Sequence, residues 1–177
     1  LRLPGADRGS RAMSPLRIVV LGGSGFVGRH LMPRLLRDRH RVTLLSRNLA
    51  PHAERLLPPS VELVQLDVYD PDALRAAFAG ADAVINLVGI LNESRDNGRG
   101  FRRAHVELAK LVIAACQLAG VKRLLQMSSL NAGRGSSHYL KSRGEAEGAV
   151  KNSGLDWTIF EPSVIFGPGD GLFSRFG

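Results

Sequence analysis

A glycine-rich turn directly follows the first apolar run of the chain and constrains the fold most strongly. Residues 16–21 have the composition of a buried strand, the next residues are Gly22-Gly23-Ser24-Gly25-Phe26-Val27-Gly28, and a helical pattern begins at Phe26. This order brings backbone N–H groups and a helix N-terminus against a pyrophosphate. Gly22 allows the tight turn, Gly25 lets a dinucleotide approach, and Gly28 lets the helix pack on the strand. We therefore predict dinucleotide contacts along this turn; a glycine turn without a ligand is the alternative. The residues assigned to the cofactor here are Gly22, Ser24, Gly25, Phe26, Val27 and Gly28.

Strand-like and helix-like segments alternate along the remaining chain. Short apolar runs predict strands at 16–21, 41–46, 61–66, 83–88, 121–128 and 157–161, and helical spacing predicts helices at 26–37, 70–79, 101–118 and 139–152. Asp70 and Pro71 are a favourable helix start, while Gly120 and Gly154 are expected to end the last two helices. Pro33 is expected to kink the first helix or limit its hydrogen bonding. The fold class is α/β, a doubly wound parallel sheet of the Rossmann type.

Composition limits the classes of function that the chain can have. Its 177 residues fit one domain, and no apolar run approaches the roughly 18 residues that cross a bilayer, which predicts a soluble protein. Cys116 is predicted to be a small core residue rather than a reactive thiol, and the scattered histidines predict no metal site. The net charge of +8 comes from arginines spread along the chain without a nucleic-acid-binding signature. We predict no nucleic-acid partner; an anionic membrane surface or an acidic partner subunit stays open.

Both ends of the chain differ from its middle. Residues 1–12 are rich in Gly, Pro and Arg and show no period, so we predict a disordered extension before Met13, with a targeting peptide as the alternative. The predicted Rossmann domain then covers residues 13–177. The sequence stops soon after a turn and leaves Phe173 and Phe176 unaccounted for. The domain is therefore expected to be C-terminally truncated, without its substrate or partner region.

The predicted strand ends select the remaining cofactor contacts, because ligands of such sheets bind outside the carboxyl ends of the strands. Domains that prefer NAD carry an acidic residue about 20 residues after the glycine motif, to bind the ribose 2′-OH. This chain has Arg47 there, and no carboxylate lies between Val42 and Pro51. Arg47 can pair with a 2′-phosphate, which favours NADP(H) over NAD(H). A surface arginine is the alternative.

Two further strand ends carry predicted contacts. Asp67, followed by Val68, is placed to accept a hydrogen bond from the adenine amino group; a turn or capping aspartate is the alternative. Leu87, Val88 and Gly89 follow the fourth predicted strand, where Gly89 would let the backbone pass close to the adenosine ribose.

Three segments resemble a known family. Residues 20–31 look like the opening of extended and atypical short-chain dehydrogenase/reductases, within the NAD-dependent epimerase/dehydratase superfamily. Residues 139–147, 154–159 and 162–170 resemble the branch that contains the NAD(P)-binding accessory subunit of respiratory complex I and its bacterial relatives. The resemblance extends from residue 16 to about residue 176. The later segments are the discriminating ones, since the glycine motif is common to a very large superfamily.

The resemblance implies a Ser/Tyr/Lys catalytic set from which this sequence departs. Tyr139 matches the tyrosine that gives a proton to a carbonyl oxygen, but Arg143 stands where the lysine is expected one helical turn later. Lys141 would point to the other side of the helix. Either Ser128 or Ser129 would orient the carbonyl. The segment around His105 lacks the asparagine of many catalytic members, and Glu161 stands where relatives often have arginine.

The departures affect catalysis more than binding. Pro162, Ser163 and Val164 are expected to line the nicotinamide end, so the cofactor cradle is complete while the proton-transfer group is altered. The sequence therefore predicts a protein that holds its dinucleotide tightly, accessory to respiratory complex I or quinone-related machinery. It would be cytoplasmic or peripheral at the inner respiratory membrane, with respiratory-complex subunits as partners. The alternative is an active NADP-dependent oxidoreductase or a sugar-nucleotide epimerase/dehydratase-like enzyme that uses Tyr139.

Overall fold

Six strands form one parallel sheet in the computed structural model, which describes residues 14–48 and 61–169. The strands are β1 (Arg17–Leu21), β2 (Arg41–Ser46), β3 (Glu62–Gln65), β4 (Ala83–Asn86), β5 (Arg123–Met127) and β6 (Asp156–Phe160). Their order across the sheet is β3-β2-β1-β4-β5-β6, and each neighbouring pair is parallel. The direction in which successive strands are added to the sheet reverses between β1 and β4, which makes this the topological switch point. The glycine turn follows β1 at the carboxyl end of the sheet, next to this point. The predicted doubly wound parallel sheet is confirmed.

Four helical regions connect the described strands. They are α1 (Phe26–Arg37), α2 (Pro71–Phe78), a composite helix, and α5 (His138–Lys151). The composite helix begins as α3 (Arg99–Phe101), continues through a π-helical segment (Arg102–Glu107), and ends as α4 (Leu108–Ala119). At the start of α2, the Asp70 carboxylate accepts hydrogen bonds from the N–H groups of Asp72 and Ala73 at 3.0 and 3.1 Å, which is the predicted cap.

Most predicted boundaries lie close to those in the structure, and some differ from it. Strand β4 ends at Asn86 instead of residue 88, and the Asn86 side chain accepts a hydrogen bond from Val88 N–H at 3.1 Å just beyond the strand. Helix α1 continues through Pro33 and ends at Arg37, as predicted, while the expected effect of Pro33 on the helix stays a prediction. Gly120 ends α4 with a φ of 74°, as predicted. Helix α5, however, already ends at Lys151, with Asn152 as its C-cap.

Gly154, with a φ of 72°, shapes the turn between α5 and β6 and does not end the helix. The predicted N-terminal extension (residues 1–12), Phe173 and Phe176 lie outside the described residues.

Apolar side chains cover both faces of the central strands, which explains why these strands lack polar alternation. On one face Val20 and Leu44 pack with Met32 of α1. On the other face Leu21 and Leu124 pack with the apolar side of α2 and α4. Cys116 lies in this second cluster, fully buried, and burial raises the pKa of its thiol to about 12, as expected of a core residue. Among the described helices, none combines the length and the apolar character needed to span a bilayer.

Candidate dinucleotide-binding site

A cavity of about 1190 Å³ lies along the carboxyl ends of the strands. It extends from the glycine turn to the first turns of α5 and to the segment after β6. The lining includes seventeen of the residues that the sequence assigned to cofactor or catalysis: Gly22, Ser24, Gly25, Phe26, Val27, Arg47, Val68, Leu87, Val88, Gly89, Ser128, Ser129, Tyr139, Arg143, Pro162, Ser163 and Val164. Gly28 and Asp67 lie outside it.

The glycine turn has the geometry that close approach requires. Gly22 has a φ of 74°, and a Cβ there would lie 2.9 Å from the backbone nitrogen of Val88. Gly25 precedes α1 as its N-cap, without a side-chain cap or an acidic residue in the first turn. The first N–H groups of α1 and its positive dipole end are therefore directed at the cavity.

Gly28 affects the site through the packing of helix α1 and not through the cavity lining. A Cβ on Gly28 would overlap the backbone of Gly23, so the absence of a side chain lets α1 sit against the turn. The predicted packing role of Gly28 is therefore present; Gly28 does not line the cavity, and its contact with a cofactor stays a prediction.

Arg47 lies just beyond β2 and is exposed. Its backbone carbonyl accepts a hydrogen bond from Gln65 Nε2 at 3.2 Å, which connects it to the end of β3. Its side chain lines the main cavity and also a smaller adjoining cavity of about 720 Å³.

Asp67 lines the smaller cavity instead of the main one. Its Oδ1 accepts a hydrogen bond from Tyr69 N–H at 3.0 Å, so the carboxylate shapes the turn after β3. The turn role that the sequence left as an alternative is thus present. Contact of Asp67 with an adenine amino group stays a prediction.

Sequence reasoning missed the pair Tyr69 and Arg103. The Arg103 Cζ lies 4.1 Å from the centroid of the Tyr69 ring, and the Tyr69 hydroxyl donates to the Arg103 carbonyl at 3.3 Å. Burial raises the pKa of Tyr69, against the opposing effect of Arg103 and Arg47. The two residues are 34 positions apart, and no local pattern joins them.

Tyr139 and Arg143 face the cavity from α5. The half-buried Tyr139 ring contacts the rings of Phe101 and His105 edge-on, with centroids 5.7 and 5.5 Å away. The buried Arg143 donates from Nη1 to the Met127 carbonyl at 3.0 Å. Its Nε is buried and has no hydrogen-bond partner in the part of the chain that the structure describes. The fixed guanidinium therefore occupies the place where the family's lysine is expected.

The two candidate serines have different surroundings. Ser128 donates to Glu147 Oε1 at 2.6 Å, and Glu147 is paired with Lys151 at 2.9 Å. Ser129 is also buried, but its hydroxyl has no hydrogen-bond partner among the described residues. The Ser128 hydroxyl is therefore already used in a hydrogen bond to a buried carboxylate. The Ser129 hydroxyl is available to hydrogen-bond a ligand.

His105 connects three parts of the site. Its Nε2 accepts a hydrogen bond from Ile90 N–H at 3.2 Å, which places the ring proton on Nδ1, 2.8 Å from Ser142 Oγ. Ser142 in turn donates to the Tyr139 carbonyl at 2.8 Å. Burial, and secondly the charge of Arg143, lower the pKa of His105 to about 4. The ring is consequently neutral near pH 7, and it ties the loop after β4 to the start of α5.

The segment after β6 forms part of the cavity wall, where the sequence predicts the nicotinamide end. The Pro162 carbonyl accepts a hydrogen bond from Leu130 N–H at 2.8 Å, which joins this segment to the loop after β5. Pro162, Ser163, Val164 and Ile165 line the cavity, while Glu161 is exposed and does not.

A parallel sheet of this order, with a glycine turn at its switch point, defines a dinucleotide-binding Rossmann domain. The sequence matches the model of the NAD(P)H-binding family over residues 22–170, and the chain belongs to that family. The predicted membership of the atypical short-chain dehydrogenase-like group is confirmed.

Two curated relatives have different printed functions. The chain is 31% identical to the mitochondrial NADH dehydrogenase [ubiquinone] 1 alpha subcomplex subunit 9 of Arabidopsis thaliana, over 94% of this chain and 42% of that protein. It is 34% identical to the ceramide reductase of Caulobacter vibrioides, over 88% of this chain and 50% of that protein. The chain thus spans about half the length of these relatives.

Solved structures show the same fold. The Bordetella bronchiseptica enzyme WbmH in complex with NAD+ superposes with a TM-score of 0.77 at 18% identity, covering 91% of this chain and 62% of that one. UDP-glucose 4-epimerase from Thermotoga maritima gives a TM-score of 0.75 at 18% identity, with 86% and 57% covered.

Proposed function

We propose that the intact protein holds NADP(H) tightly, as a structural or sensing cofactor, in an accessory role at respiratory complex I or related quinone machinery. The observation that carries the proposal is the unbroken cavity between the glycine turn and Tyr139. At one end of the cavity, uncapped N–H groups of helix α1 can bind a pyrophosphate. At the other end, Arg143 takes the place of the family's lysine.

Arg47 supports NADP(H) over NAD(H). It lines the cavity at the end of β2, where an acidic residue would bind a ribose 2′-OH. A guanidinium offers a 2′-phosphate paired, charge-assisted hydrogen bonds that a 2′-OH cannot match.

The accessory role is supported by Arg143. Its guanidinium is fixed on the Met127 carbonyl, and arginine keeps the positive charge but is bulkier and less tunable than the lysine that the resemblance implies. The similarity to a mitochondrial complex I subunit agrees with this role. With a net charge of +8, the protein would lie at the surface of the respiratory membrane, against anionic lipid or acidic subunits.

A second candidate function is carbonyl reduction or epimerisation, favoured by the unpartnered hydroxyl of Ser129. Ser129 and Tyr139 line the same cavity, so Ser129 could orient a carbonyl oxygen while the Tyr139 hydroxyl gives it a proton. A bound nicotinamide supplies or accepts the hydride in such chemistry. The similarity to a ceramide reductase agrees with this alternative.

The first experiment is to denature the purified intact protein and identify any nucleotide that is released, then to titrate the stripped protein with NADPH and NADH. We expect released NADP(H), tighter binding of NADPH, and loss of that preference in Arg47→Ala. Folded protein that binds neither dinucleotide would overturn the proposal.

A second experiment separates the accessory role from the enzyme. Carbonyl substrates are offered with NADPH to the intact wild-type protein and to Tyr139→Phe. The accessory role predicts dinucleotide binding without turnover in both. Turnover that disappears in Tyr139→Phe while binding persists would establish the enzyme.

A further inference from the structure

Two consecutive arginines on the π-helical segment have opposite surroundings. Arg102 donates from Nη1 to Glu145 Oε2 at 2.8 Å, on the outer side of α5. Arg103 lines both the main cavity and the smaller one. It forms no ion pair with any carboxylate of the described ranges 14–48 and 61–169. Its charge therefore faces the cavities without neutralisation.

Tyr69 holds Arg103 in this position. The guanidinium carbon lies 4.1 Å from the ring centroid, and the Tyr69 hydroxyl donates to the Arg103 carbonyl at 3.3 Å. Tyr69 is itself anchored, because its N–H donates to Asp67 Oδ1 at 3.0 Å. A guanidinium stacked on a ring keeps the N–H groups at its edge directed outwards, ready to donate to a ligand.

Arg47 lines the same two cavities from the end of β2. It too makes no ion pair within the part of the chain that the structure describes. Among the described residues that line the smaller cavity, Asp67 is the single carboxylate, against the two guanidinium groups. The net charge of the groups around this cavity is therefore positive, which favours an anionic ligand there.

We propose that Arg103, held by Tyr69, is the second arm of a two-arginine clamp for the 2′-phosphate of the adenosine ribose, with Arg47 as the first arm. The inference rests on the proposed binding of NADP(H) and deepens it, because it assigns the preference for the 2′-phosphate to a residue outside β2. Since Tyr69 orders the arginine before ligand arrives, little side-chain entropy is lost on binding.

If Arg103 and Tyr69 packed against the adenine base instead, the affinities for NADP(H) and NAD(H) would be affected differently than by the clamp. Adenine is common to NADP(H) and NAD(H), so a base contact contributes equally to both. A phosphate contact contributes to NADP(H) alone. The ratio of the two affinities therefore distinguishes the clamp from a base platform.

The test measures binding of 2′,5′-ADP and of 5′-AMP to the intact protein by calorimetry, together with NADPH and NADH. For Arg103→Ala we expect 2′,5′-ADP and NADPH to bind at least about tenfold more weakly, the loss of a charged hydrogen bond. Binding of 5′-AMP and NADH should change by less than about twofold. The matched control is Arg102→Ala, which removes the neighbouring arginine outside the cavities and should leave all four affinities unchanged.

Each other outcome overturns the clamp in a recognisable way. Equal losses for 2′,5′-ADP and 5′-AMP in Arg103→Ala would indicate a base contact. If Arg47→Ala loses the preference for 2′,5′-ADP while Arg103→Ala keeps it, Arg47 acts alone and the proposed function survives. If the folded wild-type protein binds none of the four, the clamp and the proposed function fail together. Thermal unfolding of each variant shows that a loss does not come from misfolding.

Discussion

Arg143 Nη1 donates a hydrogen bond to the Met127 carbonyl at 3.0 Å, which fixes a guanidinium between helix α5 and the end of strand β5. Arg143 is 5% exposed, and it has no carboxylate partner within the described residues. A Cβ on Gly89 would overlap its Nη2, so the loop after β4 leaves room for the group. Burial of a charge without a counter-charge is costly, and a residue of this kind is better explained by a ligand than by the fold.

We expect Arg143→Met to separate stability from binding. Without ligand, the variant should unfold at the same temperature as the wild type or higher, because a buried charge is replaced by an apolar side chain. Its affinity for NADPH should fall at least about tenfold, as for a lost charged hydrogen bond. Thermal unfolding and fluorescence titration give the two readouts. The control is Lys141→Met, at an exposed position of the same helix. A large loss of stability in Arg143→Met would show that the arginine stabilises the fold instead of binding a ligand.

Substitution of the two serines should have opposite effects. Ser128→Ala removes the hydrogen bond to the buried Glu147 and should lower the free energy of unfolding by about 1.5–3 kcal/mol, the range for a hydrogen bond to a charged group. Ser129→Ala removes no hydrogen bond within the described protein and should leave stability nearly unchanged. If the protein reduces a carbonyl, Ser129→Ala should also lower turnover. Denaturant unfolding compares the variants, and a larger loss of stability in Ser129→Ala would reverse the assignment.

The parts of the fold that the sequence predicted depend on local signals. An apolar run, a glycine turn and an Asp-Pro helix start each act over a few residues, and the six strands and α1 were located from such patterns. Contacts across the structure were not predictable in this way. His105 and Ser142 are 37 positions apart, and their hydrogen bond exists only once the π-helical segment lies against α5. The choice between Ser128 and Ser129 likewise depended on Glu147, a residue of a later helix that carries no local signal.

Glu93 should control the order of the loop that covers the cavity. Its carboxylate accepts hydrogen bonds from four N–H groups, those of Asn97, Gly98, Gly100 and Phe101, at 2.6–3.3 Å. Desolvation raises the pKa of Glu93, but the four hydrogen bonds together outweigh it and lower the pKa below its ordinary value. Its contribution to stability is therefore present above the ordinary carboxyl pKa and is lost as pH falls through the lowered one.

Glu93→Gln should accelerate hydrogen exchange at these four amides at neutral pH, since an uncharged amide accepts fewer and weaker hydrogen bonds. It should also weaken NADPH binding, because Ile90, Leu91 and Asn92 line the cavity just before Glu93. Asp96→Asn changes an exposed carboxylate of the same loop and is the matched control. Equal exchange rates in Glu93→Gln and wild type would exclude this role for Glu93.

His105 should make the stability of the protein depend on pH in a defined window. Burial first, and the charge of Arg143 second, lower the pKa of His105 from 6.5 to about 4, so the unfolded chain binds the proton more tightly than the folded one. The free energy of unfolding is then unaffected by this group above about pH 6.5 and decreases as pH falls towards 4, by up to about 3 kcal/mol at about 1.4 kcal/mol per pKa unit.

Protonation would also remove the acceptor for Ile90 N–H, so NADPH affinity should fall in the same window. His105→Gln should lose this component of the pH dependence, whereas His30→Gln, at an exposed position of α1, should keep it. The measurement is denaturant unfolding of wild type and both variants between pH 4 and 7. If the free energy of unfolding of wild type and of His105→Gln depended on pH in the same way, the imidazole would titrate alike in the folded and unfolded chains. The buried hydrogen bonds to Ile90 and Ser142 would then not hold it neutral.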